Sequence, residues 1–267
     1  MKKEKHPLHG YGYGSSCLDN VQIIPLKEVD STNSYLRRLQ PEDIKKEFVV
    51  AVAESQTAGR GQRGNSWESE PGKNLTFSIL MRPTFVEVRE QFILSQAIAL
   101  SIKETLYDYV RSPHPRIKWP NDIYWNKKKL GGVLIETDLV GKKLDSCIIG
   151  VGLNLNQEHF ASDAPNPVSV WQITGHTLEP LAVMRNILMR FLRYYEMIRK
   201  GDSHDVHELV DRYHKALFRR VGYHHFRSNG EEFLARIRRI EPDGHLVLED
   251  EGGTLRTYAF KEVEYVL

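Results

Sequence analysis

The feature that most constrains this chain is a change of periodicity near residue 217. Before it, apolar residues recur at helical spacing in long segments, with short β-branched runs between them. After it the helical spacing stops. The pieces VGYHHFR, EEFLARIRRIE, HLVLED and TLRTYAF are short, alternating and separated by Asn-Gly, Asp-Gly and Gly-Gly, which predicts a small antiparallel barrel. A chain of 267 residues can hold one large folded unit plus a small appended one. We therefore divide it into a flexible tail over 1–20, a main domain over 21–217 and a C-terminal β domain over 218–267.

Within the main domain, VQIIPLKEVD leads into Asp30-Ser31-Thr32-Asn33, any of which can cap a helix carrying Tyr35, Leu36 and Leu39. FVVAVAE (48–54) reads as a buried strand and NLTFSILMR (74–82) as its neighbour. Residues 87–110 have the spacing of a long core helix, broken at Ser112-Pro113-His114-Pro115. RIKW and DIYW read as strands, and NKKKLGG as the turn before the strand VLIETDLV. LDSCIIGVGLNL is a further buried strand, and helices are expected over 178–198 and 206–217.

Composition removes several classes of function. Lys and Arg total 37 against 35 Asp and Glu, so a net charge of +2 gives no electrostatic reason to expect DNA or an anionic membrane as partner. Two cysteines, Cys17 and Cys147, make no disulfide framework or zinc cluster, and a reducing cytoplasm fits. No apolar stretch is long enough to span a bilayer. His204, His207 and His214 share one predicted helix without a carboxylate-histidine set at metal-ligand spacing, and we expect ordinary surface histidines.

Three strings can carry chemistry. In GRGQRGNSW (59–67), glycines expose backbone N–H groups and Arg60 and Arg63 are shaped for carboxylate and phosphate oxygens; taken alone, a plain solvent-exposed loop fits as well. In KWPND (118–122) and the following Lys129-Leu130-Gly131-Gly132, Lys118 and Lys129 can neutralise anions and Asp122 can hold magnesium, while a turn with a packed Trp and a solvated hairpin tip is the simpler reading. In GVGLNLN (150–156), glycines allow close backbone approach and Asn154 can read a base or ribose, or the segment is only a strand end.

GRGQRGNSW, KWPND, KLGG and GVGLNLN, in this order and at these intervals, resemble the catalytic domain of the biotin protein ligases over residues 21–217, and the C-terminal piece resembles their small β domain. The resemblance implies an α+β fold of the class II synthetase-like kind, a mixed or antiparallel sheet with packed helices, followed by an SH3-like barrel. It implies biotin and ATP as substrates, Mg2+, and a biotin carboxyl carrier protein or domain as partner. On this resemblance, Ser31, Thr32, Asn33 and Gln56 surround the biotin ureido ring, with Gly59, Arg60, Gly61, Lys129, Gly131 and Gly132 completing the biotin site. Arg60, Arg63, Trp67, Lys118, Asn121, Lys129 and Asn154 meet ATP or the adenylate, and Arg60, Lys118, Lys129 and Asp122 carry the chemistry, Asp122 as the metal ligand. The family often has arginine where this chain has Gln62 and Asn65, which carry no charge, and Arg63 is expected to compensate.

Lipoate or octanoate protein ligases resemble the same fold and chemistry; the KWPND and GRGxxGxxW strings favour biotin. A biotin-responsive repressor carries a helix-turn-helix module ahead of the ligase domain, and the roughly twenty residues before the expected fold are too few for one. A ligase without DNA binding is therefore expected. Family members include monomers and dimers, so a homodimer is open.

Overall fold

A computed structural model describes residues 18–161 and 166–267, the Arg63 side chain excepted. The first described residues already pack, since Leu18 lies against the core and Asn20 O accepts from Phe48 N. The expected tail over 1–20 otherwise lies outside the described residues.

FVVAVA is a continuous apolar run because both of its faces are covered. It forms β2 (Phe48–Gln56), in which Phe48, Val50 and Val52 face one apolar cluster while Val49 and Ala51 face another with Leu36 and Ile148. Around it stands a seven-stranded sheet in the order β1-β2-β3-β7-β6-β5-β4, with β1 (Val21–Val29), β3 (Leu75–Met81), β4 (Arg116–Lys118), β5 (Asp122–Trp125), β6 (Lys128–Val140) and β7 (Lys143–Leu153). Only β1 and β2 are parallel; every other neighbour is antiparallel. The short helix α1 (Thr32–Arg37) covers the thinner face.

The opposite face carries α2 (Phe92–Tyr107), α4 (Pro180–Lys200) and α5 (Ser203–Ala216). Residues from Leu94 to Leu106 are buried nearly all round α2, because it lies between the sheet and the other two helices. The short α3 (Val170–Thr174) follows the sheet and is capped by Ser169, whose hydroxyl accepts from Gln172 N. Glu179 and Asp202 accept from the first free backbone N–H groups of α4 and α5, and Gly201 turns the chain between them at φ 68°.

Two expectations about the main sheet and its first long helix need correction. The helix begins at 92 rather than 87, because residues 86–88 bond instead to the β6–β7 hairpin through Val88 N to Lys142 O and Leu144 N to Val86 O. NKKKLGG is not all turn. Asn126, at φ 52°, makes the turn with Lys127, and the strand resumes at Lys128, so Lys129, Gly131 and Gly132 lie within β6. Lys129 also pairs on its free side with the segment 166–168, which supplies the hydrogen bonds a loop would lack.

The C-terminal part is a five-stranded antiparallel sheet in the order β11-β10-β9-β8-β12, comprising β8 (His224–Ser228), β9 (Glu231–Ile240), β10 (Leu246–Asp250), β11 (Leu255–Tyr258) and β12 (Glu264–Tyr265). Its buried residues Phe226, Ile237 and Leu248 join the same apolar cluster as the main sheet. Phe218 N donates to Ile117 O at 2.7 Å, and Trp119 Nε1 donates to Gly244 O at 2.9 Å, so the docking contacts fall beside Lys118. His214 is half-buried rather than a surface residue, because its Nε2 accepts from Ile240 N across the same junction. Among the described residues no helix is long and apolar enough to cross a membrane.

Ile98 on α2 is fully buried, whereas Val140 at the hairpin tip is 68% exposed. Ile98→Ala should lower unfolding free energy by about 2–5 kcal/mol. Val140→Ala should change it by no more than about 0.5 kcal/mol, both read from urea midpoints at constant slope.

Candidate functional site

At the ends of β6 and β7, where the loop over 57–68 and the C-terminal sheet approach one another, lies a cavity of about 1260 Å³. Its floor exists because β7 lacks two side chains. A methyl at Gly150 would overlap the Asn33 amide, and one at Gly152 would overlap the Trp67 indole. The close approach expected from GVGLNLN is therefore made by the protein's own side chains.

One end of the cavity is a hydrogen-bonded polar cluster. Gln56 Oε1 accepts from Thr32 N at 2.8 Å and from Thr32 Oγ1 at 3.1 Å. Ser78 Oγ lies 2.7 Å from Thr32 Oγ1 and 2.6 Å from Asn33 Oδ1, so its single proton is shared between two acceptors. Asn33 Nδ2 donates to Glu136 Oε2 at 2.8 Å, and the other oxygen of Glu136 takes a short contact from Arg60. Arg60 also donates to Ser34 Oγ at 3.1 Å. The whole set is anchored from outside by Asp30, which accepts from Ser31 N and from both terminal nitrogens of Arg38. Those Arg38 bonds hold the Asp30 carboxyl down at about 2.

The other end is cationic. Lys129 Nζ is 2.7 Å from Asp122 Oδ1 and stands 6.0 Å from the centre of the Trp67 ring. Lys118 Nζ stands over two rings, 5.1 Å from the centre of Tyr124 and 5.0 Å from that of Tyr265, and burial holds its pKa below the usual lysine value. The loop that carries Arg60 closes on itself: Gly61 N donates to Asn65 O, Trp67 N to Gly59 O, and Gln62–Gly64 makes a 3-10 turn. Trp67 Nε1 and Gln62 Oε1 are buried without a hydrogen-bond partner.

Of the residues singled out in the sequence, Ser31, Thr32, Asn33, Gln56, Arg60, Gly61, Trp67, Lys118, Asn121, Asp122, Lys129, Gly132 and Asn154 all line this cavity. Gly59 and Gly131 do not: Gly59 packs on the Trp67 carbonyl, and Gly131 against Leu153 and the Gly152 carbonyl. The side chain of Arg63 lies outside the described structure. Asn121 and Asn154 spend their amide N–H groups on backbone, Asn121 on Val133 O and Asn154 on Lys129 O and Val168 O, which ties the turn after Lys118 and the end of β7 to β6 and to the segment 166–168.

Sequence reading missed Ser78, Glu136, Tyr124 and Tyr265. A polar residue inside the apolar run LTFSILM was a visible signal for Ser78; nothing local marks the other three. The one group of three possible metal ligands among the described residues, Asp202, His204 and Asp205, is at the start of α5 and outside the cavity lining.

Residues 26–154 match the profile of the biotin/lipoate A/B protein ligase family. The chain is 29% identical over 236 residues to a biotin–[acetyl-CoA-carboxylase] ligase of Paracoccus denitrificans, covering 86% of this chain and 91% of that one. It is 27% identical over 218 residues to the bifunctional ligase/repressor BirA of Bacillus spizizenii, covering 80% of this chain but 65% of the relative. In fold it resembles the biotin protein ligase of Aquifex aeolicus solved with biotin and ATP, with a TM-score of 0.75, 25% identity, and coverage of 91% of this chain and 97% of that one.

Two outcomes test the geometry without any ligand. Gly150→Ala should cost about 1–3 kcal/mol by displacing Asn33, and Ser78→Ala about 1–2 kcal/mol by stripping a buried partner from Thr32 and Asn33, both measured by urea unfolding. Because the folded pKa of Asp30 is depressed, its contribution is present above the ordinary carboxylate value of 3.8 and is lost as pH falls through about 2. The difference in melting temperature between the protein and Asp30→Asn should accordingly shrink as pH falls from about 5 toward 2.

Proposed function

We propose that the chain, whose residues 26–154 match the biotin/lipoate A/B protein ligase family, is an ATP-dependent ligase that activates biotin and transfers it to one lysine of a biotin carboxyl carrier protein or domain. The observation that carries the reading is the junction, in one cavity, of a neutral hydrogen-bonding cluster with a set of lysines and an arginine. Such a junction suits a substrate with a polar uncharged ring at one end and a carboxylate at the other, meeting a polyphosphate.

In this proposal Ser31, Thr32, Asn33 and Gln56 take the ureido ring, whose donors and acceptors they can match. Arg60 and Lys129 meet the carboxylate and the α-phosphate. Each of these cations now has an acidic partner, Glu136 for Arg60 and Asp122 for Lys129, so an incoming anion shares or displaces a carboxylate rather than meeting a bare charge. Lys118 faces the phosphates, and Trp67 and Asn154 lie along the adenosine. Gln62 and Asn65 add no charge to the loop, which leaves Arg63 as its second cation.

The first step joins two anions. A biotin carboxylate oxygen attacks the α-phosphorus, the bond to pyrophosphate breaks and pyrophosphate leaves; the cations reduce the repulsion and align the attack. Magnesium fits as the ion that ATP carries. Asp122 is the carboxylate beside the lysines and would hold it, since a hydrated ion needs only one or two protein carboxylates, and it would supply further neutralisation of the phosphates. In the second step a carrier lysine amine attacks the acyl carbon, the bond to AMP breaks and the amine proton passes to water. AMP leaves readily, so no serine or cysteine nucleophile is required; buried Cys147, its thiol pushed up to about 12, is unsuited to be one. The division at residue 217 into a catalytic and a C-terminal domain belongs to the same proposal.

Pyrophosphate release with MgATP, comparing biotin with lipoate and octanoate at equal concentration, is the test. Release that depends on biotin is expected, with a loss of about 100-fold or more in Lys129→Ala; release with lipoate or octanoate alone would reassign the substrate to the other branch of the family.

A further inference from the structure

Lys118 is held differently from the other two cations described above. Arg60 has Glu136 and Lys129 has Asp122, while among the described residues no carboxylate forms an ion pair with Lys118. Asp122 and Glu264 favour its charge from beyond ion-pair distance, and a buried ammonium without a contacting carboxylate gains from further partners. Two aromatic faces are such partners, that of Tyr124 from β5 and that of Tyr265 from β12. The rings come from different sheets, so the clamp exists only while the C-terminal sheet is docked.

Three observations show that Tyr265 is itself held for this purpose. Its ring packs on Phe226 and Phe218, with centres 4.9 and 6.1 Å away. The next residue is pinned by Arg219, whose Nη2 donates to Val266 O at 2.6 Å. Its hydroxyl is buried with no hydrogen-bond partner, so the phenol group contributes its face and nothing through its oxygen. We propose that Tyr265 is a positioning residue: through its ring face it holds the Lys118 ammonium in the cavity, and thereby makes the C-terminal sheet part of the polyphosphate-binding wall. The inference rests on the function proposed above for its consequence in ATP binding, and on the geometry alone for the clamp.

The test uses the full chain with Tyr265→Phe, which keeps the ring, and Tyr265→Met, which keeps comparable bulk without a ring face. Reductive methylation of Lys118, followed by peptide mass spectrometry in the absence of any substrate, reads the clamp directly. Tyr265→Met should raise the labelling rate several-fold, and Tyr265→Phe should leave it as in the parent. In kinetics, Tyr265→Met should raise the KM for ATP about tenfold with the KM for biotin unchanged, Tyr265→Phe should restore it, and in a Lys118→Met background Tyr265→Met should have no further effect. Unchanged labelling in Tyr265→Met overturns the proposal, as does a Tyr265→Phe variant as impaired as Tyr265→Met, or an ATP effect that persists in full without Lys118. If Tyr265→Met does not fold, Tyr124→Met read by the same labelling decides the clamp from its other ring. A parent protein that releases no pyrophosphate with biotin refutes the function and leaves the labelling result to decide the clamp.

Discussion

The site depends on two hydrogen atoms standing where β7 would otherwise carry side chains. Gly150 and Gly152 let Asn33 and Trp67 press onto the strand, and each brings a segment with it: Asn33 the start of α1, Trp67 the closing end of the arginine-bearing loop. A side chain at either position would lift one wall of the cavity from its floor. Because the same strand is buried on both faces further along, at Cys147 through Ile149, the floor cannot shift to make room.

On that floor three of the cations are held in two different ways. Arg60 is held by Glu136, Lys129 by Asp122, and Lys118 by the faces of Tyr124 and Tyr265. Carboxylate partners fix position and lower the net charge that an incoming anion feels; aromatic partners fix position and leave the full charge available. In the reading proposed here that difference separates the cations meeting the mixed anhydride from the one facing the phosphates. In the polar cluster at the opposite end the side chains of Thr32, Asn33, Gln56 and Ser78 each already have a partner, so it is ordered before any ligand arrives.

The C-terminal sheet shares the main core, and the C-terminal part lines the cavity with residues from Phe260 to Leu267, Tyr265 among them, so it is neither a separate bead nor a remote appendage. Its docking contacts cluster at residues 117–119, the strand that ends in Lys118.

The sequence by itself determined the elements and most of the cavity lining. The run FVVAVA, the helical spacing on α4 and α5, the capping residues and the Gly-Gly, Asn-Gly and Asp-Gly turns are local statements, and strong local preferences agree with the final fold. The strings GRGQRGNSW, KWPND and KLGG were legible because several functional groups sit close together in the chain. Only the tertiary structure decided where α2 begins and that Lys129 belongs to a strand, since hydrogen bonds from the β6–β7 hairpin and from 166–168 outweigh local spacing there. It alone decided, too, that Glu136 meets Arg60 and that Tyr265 meets Lys118. Those partners are 76 and 147 positions apart, and a single carboxylate or phenol leaves no periodic trace: the chain must close on itself before the pair exists.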